Sequence, residues 1–197
     1  MDRSVQKRFW VKTLVAATTM VGLAIHANAG GLTPGKWRSR YVVLVNNQNS
    51  TAVMAQFAAQ LRSAMPSQFK TGATVSVNGS GTVGGATVCM TPQVASTLTS
   101  PTSVFNMFAK MNPRCTLVAG QATANSVPFT GRCDDPVSYT GNVTGEVSLT
   151  DSESWDATIE GVGRFPDALL ATMKLPTKSV VSMKTTVWTT LISKTCL

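Results

Sequence analysis

Cys89, Cys115, Cys133 and Cys196 are the four thiols of this chain, and a thiol can cross-link, ligate a metal or attack an electrophile. None lies in a Cys-x-x-Cys spacing, and the only histidine, His26, sits in a segment that reads as a removable leader. Its loss takes away the commonest general base and the commonest zinc or copper ligand. Ser-His-Asp and Cys-His mechanisms are thereby excluded from the mature chain. An even number of cysteines in an exported protein points instead to two disulfides.

The carboxylates are the remaining candidates for acid and base chemistry, and all eight outside the leader fall between Asp134 and Asp167. Paired-carboxylate hydrolysis needs two of them facing one cleft. Glu146, Asp156 and Glu160 instead occupy the polar phase of alternating segments, which turns them toward solvent. Asp134-Asp135 and the Asp151 to Glu153 turn lack the spaced ligands of a calcium loop and read as turn residues. Serines are plentiful, but neither a histidine base nor a Ser-Lys motif accompanies them. The expectation is a protein that is not an enzyme, with no catalytic residue, no cofactor and no metal site.

The leader spans residues 1–29. A basic start (Arg3, Lys7, Arg8, Lys12) precedes an apolar run from Leu14 to Ile25, then Ala27-Asn28-Ala29 ahead of Gly30. That order of charge, apolar run and small-residue cleavage site at Ala27, Ala29 and Gly30 is a secretory signal peptide. The run is shorter than the ~20 residues of a spanning helix, so no transmembrane helix is expected in the mature chain. Residues 30–197 are then a single disulfide-stabilised β-rich domain, periplasmic or secreted.

Of the 17 Lys and Arg residues four leave with the leader, and of the nine acids one, so the mature chain carries a net charge of about +5. Its placement is uneven. Eight basic residues and no acid lie between Gly30 and Cys133, and only lysines follow Asp167. The plain reading is an acidic hairpin flanked by basic strands whose charges meet across the ladder. The sharper one is a basic face for anionic headgroups or nucleic acid. Nucleic acid is disfavoured, because the basic residues are scattered singly, aromatics are few and no recognition motif occurs.

These residues need elements to hold them. Residues 37–45 alternate and then turn apolar, as a first strand does, before Asn46-Asn47-Gln48-Asn49-Ser50. Val53, Met54, Phe57, Leu61 and Met65 fall at helical spacing ahead of Pro66, one amphipathic helix over 52–65. Residues 71–87, with Asn78-Gly79, form a hairpin or a loop. Thr91-Pro92 and Ser100-Pro101 each pair a capping residue with a proline at the first helical position, which predicts two short helices. The second carries Val104, Met107, Phe108 and Met111 on one side.

Cys115 to Ala119 and Ser126 to Cys133 are strand-like runs symmetrical about Ala124. Folding there sets Cys115 opposite Cys133, close enough to bond, and leaves Cys89 to Cys196. Tyr139 to Thr150 and Trp155 to Gly161 alternate strictly around a turn, and residues 168–176 and 179–195 continue the alternation. Inward glycines at Gly141, Gly145 and Gly161 suggest strong curvature. The predicted fold is mainly β: an antiparallel meander of seven or eight strands curled into a barrel or half-barrel, with one to three short inserted helices.

Several of these pieces together resemble the bacterial domain-of-unknown-function 3617 family of small exported proteins. They are the signal peptide, the early Pro34-Gly35-Lys36-Trp37, and Cys89-Met90-Thr91-Pro92-Gln93 in place of that family's Cys-Leu-Thr-Pro-Glu. The mid-chain cysteine pair, the Gly- and Thr-rich alternating strands and the late Cys196 complete the likeness. It implies export and assigns no activity, so no site transfers. Two functional expectations follow from the residues. One is a non-enzymatic structural or interaction protein of the cell envelope, its partner another envelope protein. The alternative is a periplasmic binding module for an apolar, lipid-like or amphipathic ligand, with the 52–65 helix as a lid over a cavity.

Overall fold

The computed structural model describes residues 31–64 and 84–196. The cleavage-site residues Ala27, Ala29 and Gly30, the Asn78-Gly79 turn and Met65 lie outside the described residues. In chain order the elements are β1 (Gly35–Val45), β2 (Gln48–Asn49), α1 (Thr51–Ala64), β3 (Gly84–Met90), α2 (Pro92–Ala95) and α3 (Pro101–Met111). They continue with β4 (Cys115–Ala119), β5 (Ser126–Asp135), β6 (Tyr139–Asp151), β7 (Ser154–Arg164), α4 (Asp167–Thr172) and β8 (Val181–Ser193).

All eight strands join one antiparallel sheet in the order β2-β1-β8-β7-β6-β5-β4, with β3 beside β2 on the outer edge of β1. β4 to β8 form a simple meander; the departures are β3, which returns to pair with β1, and the β1–β8 pairing, by which the last strand ties the first to the hairpins. Strict alternation fixes the register. The inward row Val147, Ala157, Val187 and Tyr41 runs straight across β6, β7, β8 and β1. Their sequence neighbours all face the other way.

Helices cover the inward face in two groups. Under α2 and α3, Trp37, Val104, Phe105, Val127, Phe129, Val147 and Trp155 form one buried cluster. The Phe129 ring lies 5.5 Å from Phe105 and 5.7 Å from Phe108, pairs that add about 0.5–1.5 kcal/mol each beyond their burial. The second cluster gathers Val43, Tyr139, Val143, Phe165, Leu169 and Leu170, with Val53, Met54 and Phe57 of α1 packed on it. Both predicted caps are present: Thr91 Oγ1 accepts from Val94 N, and Ser100 and Ser103 form a reciprocal capping box. On β1, Val43 lies just past the β3 pairing and just before the β2 pairing. Buried Thr51 fills that gap, its Oγ1 accepting from Val43 N at 2.9 Å, while Ser50 N donates to Val43 O.

Three expectations need correction. The sheet is open: β4 and the β2/β3 side are its two edges, and it neither closes nor curls strongly into a barrel. The inward glycines sit where the paired strand's backbone and the Phe129 and Tyr139 side chains leave no space for a Cβ. A Cβ at Gly145 would stand 2.5 Å from Phe129 Cζ, and at Gly141 and Gly161 it would stand 2.8 and 2.6 Å from Tyr139 Oη. Residues 168–176 are not a strand, and they make α4 a fourth helix. Pro166 stops β7, and adjacent Leu169 and Leu170 are both buried, which one face of a strand does not allow. Asp167 Oδ1 accepts from Lys178 N at 2.8 Å and closes the turn that follows.

The two disulfides are Cys115–Cys133, directly opposed on β4 and β5, and Cys89–Cys196. The second joins β3 to the chain just past β8, across β1. Two such cross-links point to an oxidising compartment outside the cytoplasm. No described helix is long and apolar enough to cross a membrane.

Candidate functional site

The carboxylates occupy the outward face and the turns. Glu160 lies opposite Lys184 on β8, and their charged atoms meet at 2.7 Å. Lys194 reaches Glu153 at 3.6 Å. Acidic and basic segments thus do meet at these two places. Asp135 accepts from Val137 N and Ser138 Oγ, and Asp151 from Glu153 N and Ser154 Oγ, so both are bound up in turns. Burial, and next the nearby Glu146 charge, push the Asp156 carboxyl above its ordinary range, partly offset by a hydrogen bond from Thr150. Burial likewise raises the Tyr139 phenol. Among the described residues no three acids, cysteines or histidines gather as a metal site.

Two concavities differ in chemistry. On the outward face a broad open trough of about 610 Å³ is lined by Asn142, Thr144, Glu160, Val162, Ser182 and Lys184, and the Glu160–Lys184 ion pair lies within it. On the inward face, between the α2–α3 layer and the sheet, runs a groove of about 350 Å³. Small-molecule sites are typically ~300–1,000 Å³, mostly apolar with a few placed polar groups. The inward groove fits that description; the trough is a wet ladder surface.

The groove is built from the sequence upward. Alternation places Trp37 of β1, Trp155 and Ala157 of β7 and Val187 of β8 on its floor. Helical spacing on α3 supplies Met107, Phe108 and Met111 as one wall. Val88 and Met90 of β3 and Val94 of α2 close the other side. Val88, Val94 and Met111 are 48%, 45% and 60% exposed, so the rim itself is apolar. Among the described residues no charged side chain lines the groove. A smaller pocket of about 150 Å³ continues beneath Phe108, between Phe129, Ile159 and Met183.

Within this apolar lining the polar atoms are few. Ser39 Oγ and Thr189 Oγ1 share one hydrogen bond of 2.9 Å on the floor. Trp37 Nε1 donates to Thr33 O at 2.9 Å. The Trp155 Nε1–H, in a residue only 7% exposed, meets no acceptor among the described residues.

This groove lies under α2 and α3, so α3, and not the 52–65 helix expected as a lid, borders it. Sequence reasoning placed Met107, Phe108 and Met111 on one side of α3, but it did not single out Trp155, Ser39 or Thr189. Their inward phase was readable; their meeting required the β1–β8 pairing, which joins segments about 150 residues apart. Comparison with protein-family models, curated proteins and solved structures finds no match.

Proposed function

We propose that this is an exported protein of the bacterial cell envelope that binds an apolar or amphipathic small molecule in the groove between α3 and the sheet, without catalysing a reaction. The observation that carries the reading is a groove of ligand size whose described lining residues carry no charge and whose rim is apolar. In the single chain Val88, Val94 and Met111 leave that area in contact with water, and an apolar ligand removes it at ~25 cal/mol per Å². The leader supports the location, and the disulfides agree with it.

The test is fluorescence of N-phenylnaphthylamine, which brightens in apolar surroundings, titrated with the disulfide-intact mature protein. Val94→Glu with Met111→Glu puts two charges on exposed rim positions, where folding tolerates them. Binding is expected to weaken by at least about tenfold. No binding to the parent protein, or equal binding to the variant, would contradict the reading.

The interaction reading keeps one observation in its favour. Lys36, Arg38 and Arg40 alternate along the outward face of β1, and among the described residues none makes an ion pair. An acidic envelope protein is the partner such a row suits, and cross-linking from these positions would reveal it.

A further inference from the structure

The floor of the groove specifies the head group of its ligand, an inference that rests on the binding role proposed above. Trp155, Thr189 and Ser39 stand side by side on β7, β8 and β1, because Trp155 pairs with Thr189 and Thr189 with Ser39. Neighbouring strands lie ~4.8 Å apart, so the three residues share one short row on the groove floor. Each hydroxyl has one proton to give. The Ser39–Thr189 bond uses one of the two, and among the described residues neither hydroxyl makes another hydrogen bond. The Trp155 indole proton is unused as well. The row therefore offers two donors and seeks an acceptor.

The acceptor must be neutral. Among the described residues no lysine or arginine lines the groove, and a carboxylate or phosphate on its floor would be stripped of water with no counter-charge. We infer that the groove takes a neutral carbonyl compound, an ester or ketone on a hydrocarbon body. Its oxygen accepts from Trp155 Nε1 and from the spare hydroxyl proton of the Ser39–Thr189 pair. Trp155 Nε1 is closed off from solvent, so the ligand reaches it by displacing neighbouring side chains. Met90, Met107 and Met111 in the groove wall are unbranched and adaptable enough to give way.

The experiment is displacement of N-phenylnaphthylamine by two competitors of equal chain length, methyl nonyl ketone and undecane. It is run on the parent protein, on Trp155→Phe and on a Ser39→Ala, Thr189→Val double variant, since Ser39 alone would keep one hydroxyl proton to give. The ratio of the two competitors' affinities cancels any general change in the groove. That ratio is expected to fall by roughly threefold to tenfold toward the alkane in each variant, the range of one neutral hydrogen bond. The Trp155 indole proton resonance is expected to shift on adding ketone and to stay in place with undecane. An unchanged ratio in both variants overturns the inference while leaving a groove that binds hydrocarbon. Failure of the probe to bind the parent protein overturns the binding role and this inference with it. Retention of probe binding by the variants shows that they are folded.

Discussion

Removing the Cys89–Cys196 bridge should cost more stability than removing Cys115–Cys133, and the difference can be worked from the chain. The bonded residues are 107 and 18 apart in sequence. The loop-entropy relation gives about 3 kcal/mol for the shorter loop at room temperature. The shorter loop is nested in the longer one, so in the unfolded chain the outer bridge closes an effective loop of roughly 90 residues. The same relation then gives about 4.5 kcal/mol. Packing pulls the other way: Cys89 and Cys196 are exposed, whereas Cys133 is buried and Cys115 half-buried. Paired Cys→Ala variants of each bridge, unfolded in urea, measure both losses against a total that for such a domain is ~5–15 kcal/mol. The outer pair should come out lower in stability by about 1 kcal/mol or more. A larger loss from the inner pair would refute the loop-entropy reasoning and put the weight on packing around Cys133. A loss under about 1 kcal/mol from either pair would show that the unfolded chain is already compact where the bridge closes.

Gly145→Ala sets a Cβ 2.3 Å from the backbone oxygen of Thr158 and 2.5 Å from Phe129 Cζ, so it should cost about 1–3 kcal/mol, read as a lower urea midpoint. Gly120→Ala, at an exposed position with its nearest neighbour 3.2 Å away, is the control and should stay within about 0.5 kcal/mol. Thr51→Val strands the Val43 N–H that its hydroxyl accepts and should cost about 1–3 kcal/mol, with faster amide exchange at Val43 as the specific readout. The Asp156 carboxyl, raised in the folded protein mainly by burial, favours folding while protonated. That advantage is complete below its unfolded pKa and is lost as pH rises through the folded one. Asp156→Asn should therefore gain Tm over the parent near neutral pH, and the gap should close toward pH ~3. A gap that widens on acidification would contradict the assignment.

Where one strand pairs with its neighbour in sequence, the pattern could be read directly. Tyr139 to Trp155 announced both its face and its turn. The two cysteines of the β4–β5 hairpin lay symmetrically about the bend, and Thr91-Pro92 and Ser100-Pro101 marked their helices with a cap and a first-turn proline. What failed was of another kind. Ala168-Leu169-Leu170-Ala171 alternates too weakly to separate strand from helix, and burial of both leucines decides it. The inward glycines carry the same signal whether a strand bends or its neighbours leave no space for a Cβ, and only the positions of the paired strand, Phe129 and Tyr139 distinguish the two. The groove depends on β8 sliding between β1 and β7, a pairing with no local signature. Its floor row of Ser39, Thr189 and Trp155 therefore became visible only in three dimensions.

Native mass spectrometry of the protein recovered from its export compartment without detergent tests the binding role most directly. The predicted result is a mature chain starting at Gly30, with both disulfides intact. It carries an uncharged apolar adduct that leaves on denaturation and is absent from the Val94→Glu, Met111→Glu variant. A clean mass for the chain alone, in protein that has never met detergent, would contradict a groove built to hold a ligand.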